Sequence, residues 1–495
     1  MFACSEAPPV GPDAVVKVAE GQLTGIAGNN AEITVYKGVP FAAPPVDELR
    51  WAPPQAPAIW EGVKAADTFG SSCMQNAPVD RLPWTMEYLI ANEVDEDCLT
   101  LNIWTPAKNN AENLLVFVYF HGGGFVEGSG EVPLYNGENM AAQGIIVVTV
   151  NYRLGVFGFL AHPELTAASP NNASGNYALL DKIASLEWIQ KNIAAFGGNP
   201  DRVTIAGQSA GAISVRALVA SPLAKDLFHG AIEQSAGAGL MPTLAEAEQT
   251  GQQLLESFDA SSISALRALS ADSLHTLHAQ RAQVRLVPNI DGWIWPTSAY
   301  DAGAHNDVPM LMGFTADEFA GIFFNPDELN ADAFYEMARE NYGETRLDAF
   351  KALYPADSEE ALKYAFSKQQ QDTWAMGLYE LAQHRARTGT ATTFNYSFDR
   401  ATPWPEHPRY KAFHSSEIPY VFDNQHLIDR PWEAADRTLA SQMSAYWVNF
   451  VKTGNPNGEG LPQWPAAADQ FLRLDSTIQA DEILSKEKIA FYSEE

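Results

Sequence analysis

The run Val203-Thr204-Ile205-Ala206-Gly207-Gln208-Ser209-Ala210-Gly211 decides the fold. Its first four residues are β-branched or apolar and read as a short strand, and the Ala-rich stretch after Gly211 reads as a helix. Between them, G-x-S-x-G marks a sharp strand-to-helix turn. Small neighbours let a serine sit there in a strained backbone conformation, with its hydroxyl exposed above the edge of a sheet. The N-terminus of the following helix favours negative charge that develops beside it. The pentapeptide alone is common by chance; the strand before it and the helix after it give it weight.

Outward from this turn the chain alternates between strand and helix signals. Upstream, Leu179, Ile183, Leu186, Ile189 and Ile193 recur every three or four residues, which predicts an amphipathic helix between Tyr177 and Phe196, stopped by Gly197-Gly198-Asn199-Pro200. Leu114 to Phe120 and Ile145 to Tyr152 are apolar runs rich in β-branched and aromatic residues, as expected of strands covered on both faces. Such alternation predicts an α/β fold, with a large, mostly parallel central sheet and helices on both faces. The first 40 residues read as strands, Val15–Val18 and Ile33–Tyr36 around the turn-prone Gly28-Asn29-Asn30, and the Pro-rich stretch from Ala42 to Pro57 reads as irregular. A chain of 495 residues exceeds the usual ~250–300 for one core and by length alone suggests several domains. No repeat or Gly/Ser linker divides it. The expected organisation is therefore a flexible segment over residues 1–14 and one large domain over 15–495, with helical insertions around 240–283 and 331–388.

Composition excludes several classes of function. Hydrophobic residues make up 46% and charged residues 19%, so the chain can build a core and disorder is not its main state. A formal net charge of −30 repels nucleic acid and anionic membranes. No apolar run approaches the ~20 residues that span a bilayer. Three cysteines, Cys4, Cys73 and Cys98, fit neither a disulfide scaffold nor a four-ligand zinc site. Met1-Phe2-Ala3-Cys4 before Ser5-Glu6-Ala7-Pro8-Pro9 resembles the stub of a bacterial lipoprotein signal, which would make Cys4 a lipid anchor. An ordinary flexible start is the equal alternative.

A second signal, His121-Gly122-Gly123-Gly124-Phe125, follows the strand Leu114 to Phe120. Glycines can present backbone N–H groups to an incoming oxygen with no Cβ in the way, as the oxyanion of an acyl transfer requires. The segment does not fit the phosphate-loop pattern. A glycine triplet followed some way downstream by the serine turn is the chain order of an α/β-hydrolase. A serine nucleophile also needs a base and an orienting acid, and that fold supplies them in the order Ser, acid, His. On residues alone Asp317 and Glu318 are equal candidates for the acid.

The chain resembles the type B carboxylesterases nearly end to end. The matching segments include Tyr36-Lys37-Gly38-Val39-Pro40-Phe41-Ala42, Glu96-Asp97-Cys98-Leu99-Thr100-Leu101-Asn102, Asn151-Tyr152-Arg153-Leu154-Gly155, Phe196-Gly197-Gly198-Asn199-Pro200 and Gly454-Asn455-Pro456-Asn457. It departs from the family at Asp47 and Phe319, where glycine is usual, and at Gln208, where glutamate is usual. The resemblance implies a serine ester hydrolase with Ser209 as nucleophile, Glu318 as acid and His414, within Phe413-His414-Ser415-Ser416-Glu417, as base. It implies oxyanion donors at Gly123, Gly124 and Ala210, a structural role for His121, a Cys73–Cys98 disulfide, and a Glu96–Arg153 ion pair. The expected reaction needs no cofactor or metal and acts on a small-molecule ester. A disulfide would place the protein in an exported compartment, periplasmic, secreted or lipid-anchored, with the cytoplasm as the alternative. Oligomeric state and physiological ester are left open.

Overall fold

Alternate residues of Leu114–Phe120 enter two different cores. Val116, Val118 and Phe120 pack into one apolar cluster, and Phe117 and Tyr119 into another. This is the two-residue period of a strand with both faces covered. The computed structural model describes residues 7–237, 241–258, 260–281, 283–296, 306–320 and 330–493.

Eleven strands form the central sheet: β1 (Ile26–Ala27), β2 (Thr34–Pro40), β3 (Thr100–Thr105), β4 (Leu114–Phe120), β5 (Ile146–Val150), β6 (Gly198–Gln208), β7 (Gly230–Gln234), β8 (Met310–Thr315), β9 (Thr393–Phe398), β10 (Gln470–Leu474) and β11 (Gln479–Glu482). Their spatial order is β11-β10-β9-β8-β7-β6-β4-β5-β3-β2-β1. From β5 through to β10 all pairings are parallel, and the strands at both edges are antiparallel. From β4 the chain steps to β5 on one side and then to β6 on the other. In open α/β sheets a ligand crevice lies at such a reversal, beyond the carboxyl ends of the strands. Both the glycine triplet, after β4, and Ser209, after β6, leave the sheet there.

Helices cover the two faces. α1 (Tyr177–Asn192) contributes Leu179, Ile183, Leu186 and Ile189 to the first core, and α2 (Ala210–Ala220) begins directly after Ser209. The 30-residue α3 (Glu359–Thr388) lies over β8 and β9, and α4 (Ala434–Thr453) sends Leu439, Met443, Trp447 and Phe450 into the second core. Short helices fill the two stretches read as helical insertions: Leu244–Ser257, Ile263–Arg267 and Ala271–Ala279 in one, Ala331–Tyr342 and Leu347–Leu353 before α3 in the other.

Several details differ from the sequence reading. α1 is covered nearly all round, not amphipathic: Asp181 and Lys182 are fully buried. Asp181 pairs with Arg153, and Lys182 stacks its ammonium on the Tyr152 ring, so both charges gain partners inside. The expected Glu96–Arg153 pair is not formed. Glu96 is bound in two-pronged fashion by Arg50, at 2.6 Å to each oxygen, and Arg153 binds Asp181 instead. Two buried guanidinium–carboxylate pairs therefore replace the single one expected, each in the fork geometry that best offsets desolvation. Strand β6 is longer than Val203–Ala206 and starts at Gly198, with an irregular register before Val203. Within residues 1–14, Val10 is buried and its N–H donates to Lys108 O, so ordered chain begins before residue 15. Cys4 lies outside the described residues. Asp47 has φ 52°, the left-handed region that suits the glycine expected there and that aspartate tolerates. Cys73 and Cys98 are joined in a disulfide, and no helix among the described residues is long and apolar enough to cross a membrane.

Candidate active site

Ser209 occupies φ 57°, ψ −122°, a backbone region costly for any residue with a Cβ. The surroundings enforce it. A Cβ on Gly211 would come 2.0 Å from Phe120 O, and one on Gly207 would meet the Gly211 backbone at 2.4 Å. Only glycines on either side let β6, α2 and the end of β4 approach so closely. The Ser209 N–H donates to Gln234 O on the neighbouring β7, and its own carbonyl accepts the first helical bond, from the Ile213 N–H. The serine is thus held at the junction between strand and helix, as the sequence predicts.

The glycine triplet lies beside it. Gly123 has φ 103°, and a Cβ there would collide with Glu127 O at 2.1 Å. His121 precedes the triplet, buried and stacked on Tyr152, with Nδ1 2.8 Å from Gly122 O. Burial pushes its pKa down to about 3, so it stays neutral and acts as a wedge under the loop.

Glu318 and His414 come from the segments that follow β8 and β9. Glu318 follows β8 and is 2% exposed; its Oε1 accepts the Thr315 N–H at 2.8 Å, and its Oε2 meets His414 Nδ1. A carboxylate at Nδ1 keeps the proton there, leaving the Nε2 lone pair free to accept. Burial lowers the His414 pKa, but the charge and hydrogen bond of Glu318, with the charge of Glu417, outweigh it and hold the group above the usual histidine range. Asp317 turns away from the ring. Its N–H donates to Ala412 O at 3.0 Å, its Oδ2 accepts from the Ala412 N–H at 3.3 Å, and its Oδ1 accepts from the Ser367 hydroxyl at 3.4 Å. It therefore ties the loop after β8 to the loop that carries His414, and of the two carboxylates it is Glu318 that reaches the imidazole.

Ser209, Gly123, Gly124, Glu318 and His414 line one cavity of about 570 Å³. Ala210, buried as the first residue of α2, backs the serine from behind. Among the described residues, no cluster of His, Cys, Asp and Glu is arranged to hold a metal.

Three features of the site went unread in the sequence. Gln208 Nε2 lies 3.1 Å from His414 Nε2, so its amide donates to the lone pair that would receive a serine proton, while Ser209 Oγ makes no hydrogen bond among the described residues. The unusual Gln at this position was visible, but its contact was not. Glu417 is fully buried, accepts from Gln234 Nε2 at 3.2 Å, and has its pKa pushed up to about 7 by burial and then by the charge of Glu318. Trp374, on α3, packs edge-on against His414 with ring centres 6.3 Å apart; nothing local in a long helix marks such a residue.

A family profile described as the carboxylesterase family matches residues 12–492. The fumonisin B1 esterase of Sphingopyxis macrogoltabida is 37% identical, over 92% of this chain and 84% of that protein. The para-nitrobenzyl esterase of Bacillus subtilis (strain 168) is 35% identical, over 96% of this chain and 97% of its own. Among solved structures, a carboxylesterase of Geobacillus stearothermophilus superposes with a TM-score of 0.83 at 30% identity, covering 97% of this chain and 100% of that one.

Proposed function

The chain belongs to the carboxylesterase family and is a carboxylic-ester hydrolase, and from that premise we propose that Ser209, His414 and Glu318 carry the reaction through a covalent acyl-enzyme. Ser209 Oγ attacks the ester carbonyl while His414 Nε2 takes its proton. Glu318 holds the imidazole in the required tautomer and stabilises its cation. The backbone N–H groups of Gly123, Gly124 and Ala210 receive the oxyanion. His414 then protonates the departing alcohol, and a water activated by the same ring hydrolyses the acyl-serine. Gln208 has to release the Nε2 lone pair when substrate enters, since Ser209 needs the same acceptor. Active sites often tighten in this way only with substrate bound.

The observation that carries this reading is the buried Glu318–His414 contact opening onto the same cavity as Ser209 and the bare glycine loop. The substrates we assign are small to medium esters, with room for bulky alcohols, because Gly123 and Gly124 put no side chains on that wall. The disulfide supports an oxidising, exported location, and the catalytic domain we assign runs from residue 15 to the end with its helical insertions. The test is labelling with a fluorophosphonate ester, followed by peptide mapping. Label should appear on the peptide containing Ser209, and Ser209→Ala should lose both label and turnover of 4-nitrophenyl acetate. Label on another serine, or full turnover by a folded Ser209→Ala protein, would refute the assignment. Hydrolysis of tert-butyl acetate above background tests the roomy wall in the same preparation.

A further inference from the structure

The charged side chains lining the active-site cavity fall into pairs with one left over. Glu127 is bound by Arg81, and Glu318 by His414. Arg285 also lines the cavity, is exposed, and makes no ion pair or hydrogen bond with any described residue. Among the described residues it is thus the one charged group on this cavity wall that no side chain pairs.

Its position is specific. A Cβ on Gly124 would sit 4.0 Å from Arg285 Nη2, so the guanidinium hangs over the glycine wall beside Ser209. The segment that carries it is anchored on both sides. Leu286 is buried in the first core, Val284 and Val287 pack against that core, and Asn289 exchanges hydrogen bonds with Asn176 and donates one to Ser174 O. Arg285 thus projects from a fixed backbone, which lowers the ordering cost of using it. A guanidinium presents a planar fork of donors that matches a carboxylate two-pronged, and a ligand carboxylate would supply the partner that the protein does not.

We propose that Arg285 is a specificity-determining residue and that the preferred substrates are esters carrying a free carboxylate a few bonds from the scissile carbonyl. The proposal rests on the esterase reading above and names the substrate class for that site. It also predicts poor turnover of cationic esters, since Arg285 repels them and Gln208 offers them no charge.

The experiment compares two pairs of near-isosteric esters that differ in one charge. The acyl-side pair is monoethyl glutarate and its terminal amide. The alcohol-side pair is 3-acetoxypropanoate and 3-acetoxypropanamide. Product release is followed chromatographically, and the quantity read is the ratio of kcat/KM for the acid over the amide. The wild-type ratio should exceed about ten in one of the pairs, and that pair identifies which part of the ester bears the carboxylate. The ratio should fall to near one in Arg285→Gln, fall only part-way in Arg285→Lys, which keeps the charge and loses the fork, and shrink with added salt, as an exposed ion pair must. A wild-type ratio near or below one in both pairs overturns the proposal, as does an undiminished ratio in Arg285→Gln. Each ratio is internal to one preparation, so a partly folded variant does not distort it. If wild type hydrolyses neither member of either pair, nor 4-nitrophenyl acetate, it is the esterase reading that fails.

Discussion

Replacing Glu318 by glutamine tests the acid assignment most directly, because the structure shows why the amide has no good orientation. With its oxygen kept on the Thr315 N–H, as Glu318 Oε1 is at 2.8 Å, the amide NH2 faces His414 Nδ1. That nitrogen must then accept, the proton moves to Nε2, and the base cannot take the serine proton. With the amide flipped, its NH2 meets the Thr315 N–H, donor against donor, at a residue only 2% exposed. An unsatisfied buried donor costs roughly 1–3 kcal/mol, so the flip offers no easy escape. Either way the imidazolium loses its counter-charge. In serine proteases the equivalent change lowers turnover by ~10⁴, about 5 kcal/mol of barrier at ~1.4 kcal/mol per tenfold. The expected loss in kcat/KM for Glu318→Gln is therefore roughly 10²–10⁴. Asp317→Asn should cost less than about tenfold, because an amide oxygen still accepts from the Ala412 N–H and the backbone bond to Ala412 O is untouched. The assay is hydrolysis of 4-nitrophenyl acetate after both variants have shown the wild-type thermal transition. An inactive Asp317→Asn beside a nearly normal Glu318→Gln would mean that the wrong carboxylate has been named.

Gln208→Glu puts a carboxylate against His414 Nε2, which stabilises the imidazolium; the acid limb of the kcat/KM profile should move up by about one pH unit or more, and an unmoved limb counts against this contact. Glu417, raised from 4.5 to about 7 in the folded chain, binds more protons folded than unfolded, so its contribution to stability is full below pH 4.5 and is lost as the pH rises through 7. Glu417→Gln should therefore gain on wild type in thermal melts between pH 5 and pH 8, by up to about 3 kcal/mol; a difference that does not change with pH would show that Glu417 titrates normally. Thiol titration of unreduced, denatured protein should find one reactive group, Cys4, and reduction should lower stability by about 3.5 kcal/mol, as expected for closing a loop with a sequence separation of 25. Three reactive thiols in protein taken from its native compartment would remove the case for export.

The sequence by itself determined the parts of this protein that depend on near neighbours. The apolar run Leu114–Phe120, the Gly207–Gly211 turn and the glycine triplet are local patterns, because strands and tight turns are set by residues a few positions apart. They located the sheet, Ser209 and the glycine loop beside it. Resemblance to relatives then chose among distant candidates, as it did for Glu318, His414 and the pair Cys73 and Cys98. Tertiary structure alone decided which groups meet across the sheet. Arg50 rather than Arg153 takes Glu96, Gln208 reaches His414, Trp374 backs the imidazole from a helix far along the chain, and Arg285 stands over the glycine wall with no partner among the described residues. No spacing rule encodes such pairings. Each depends on where the ends of several strands and an insertion converge, and a shift of one residue in any of them would change which side chains face one another.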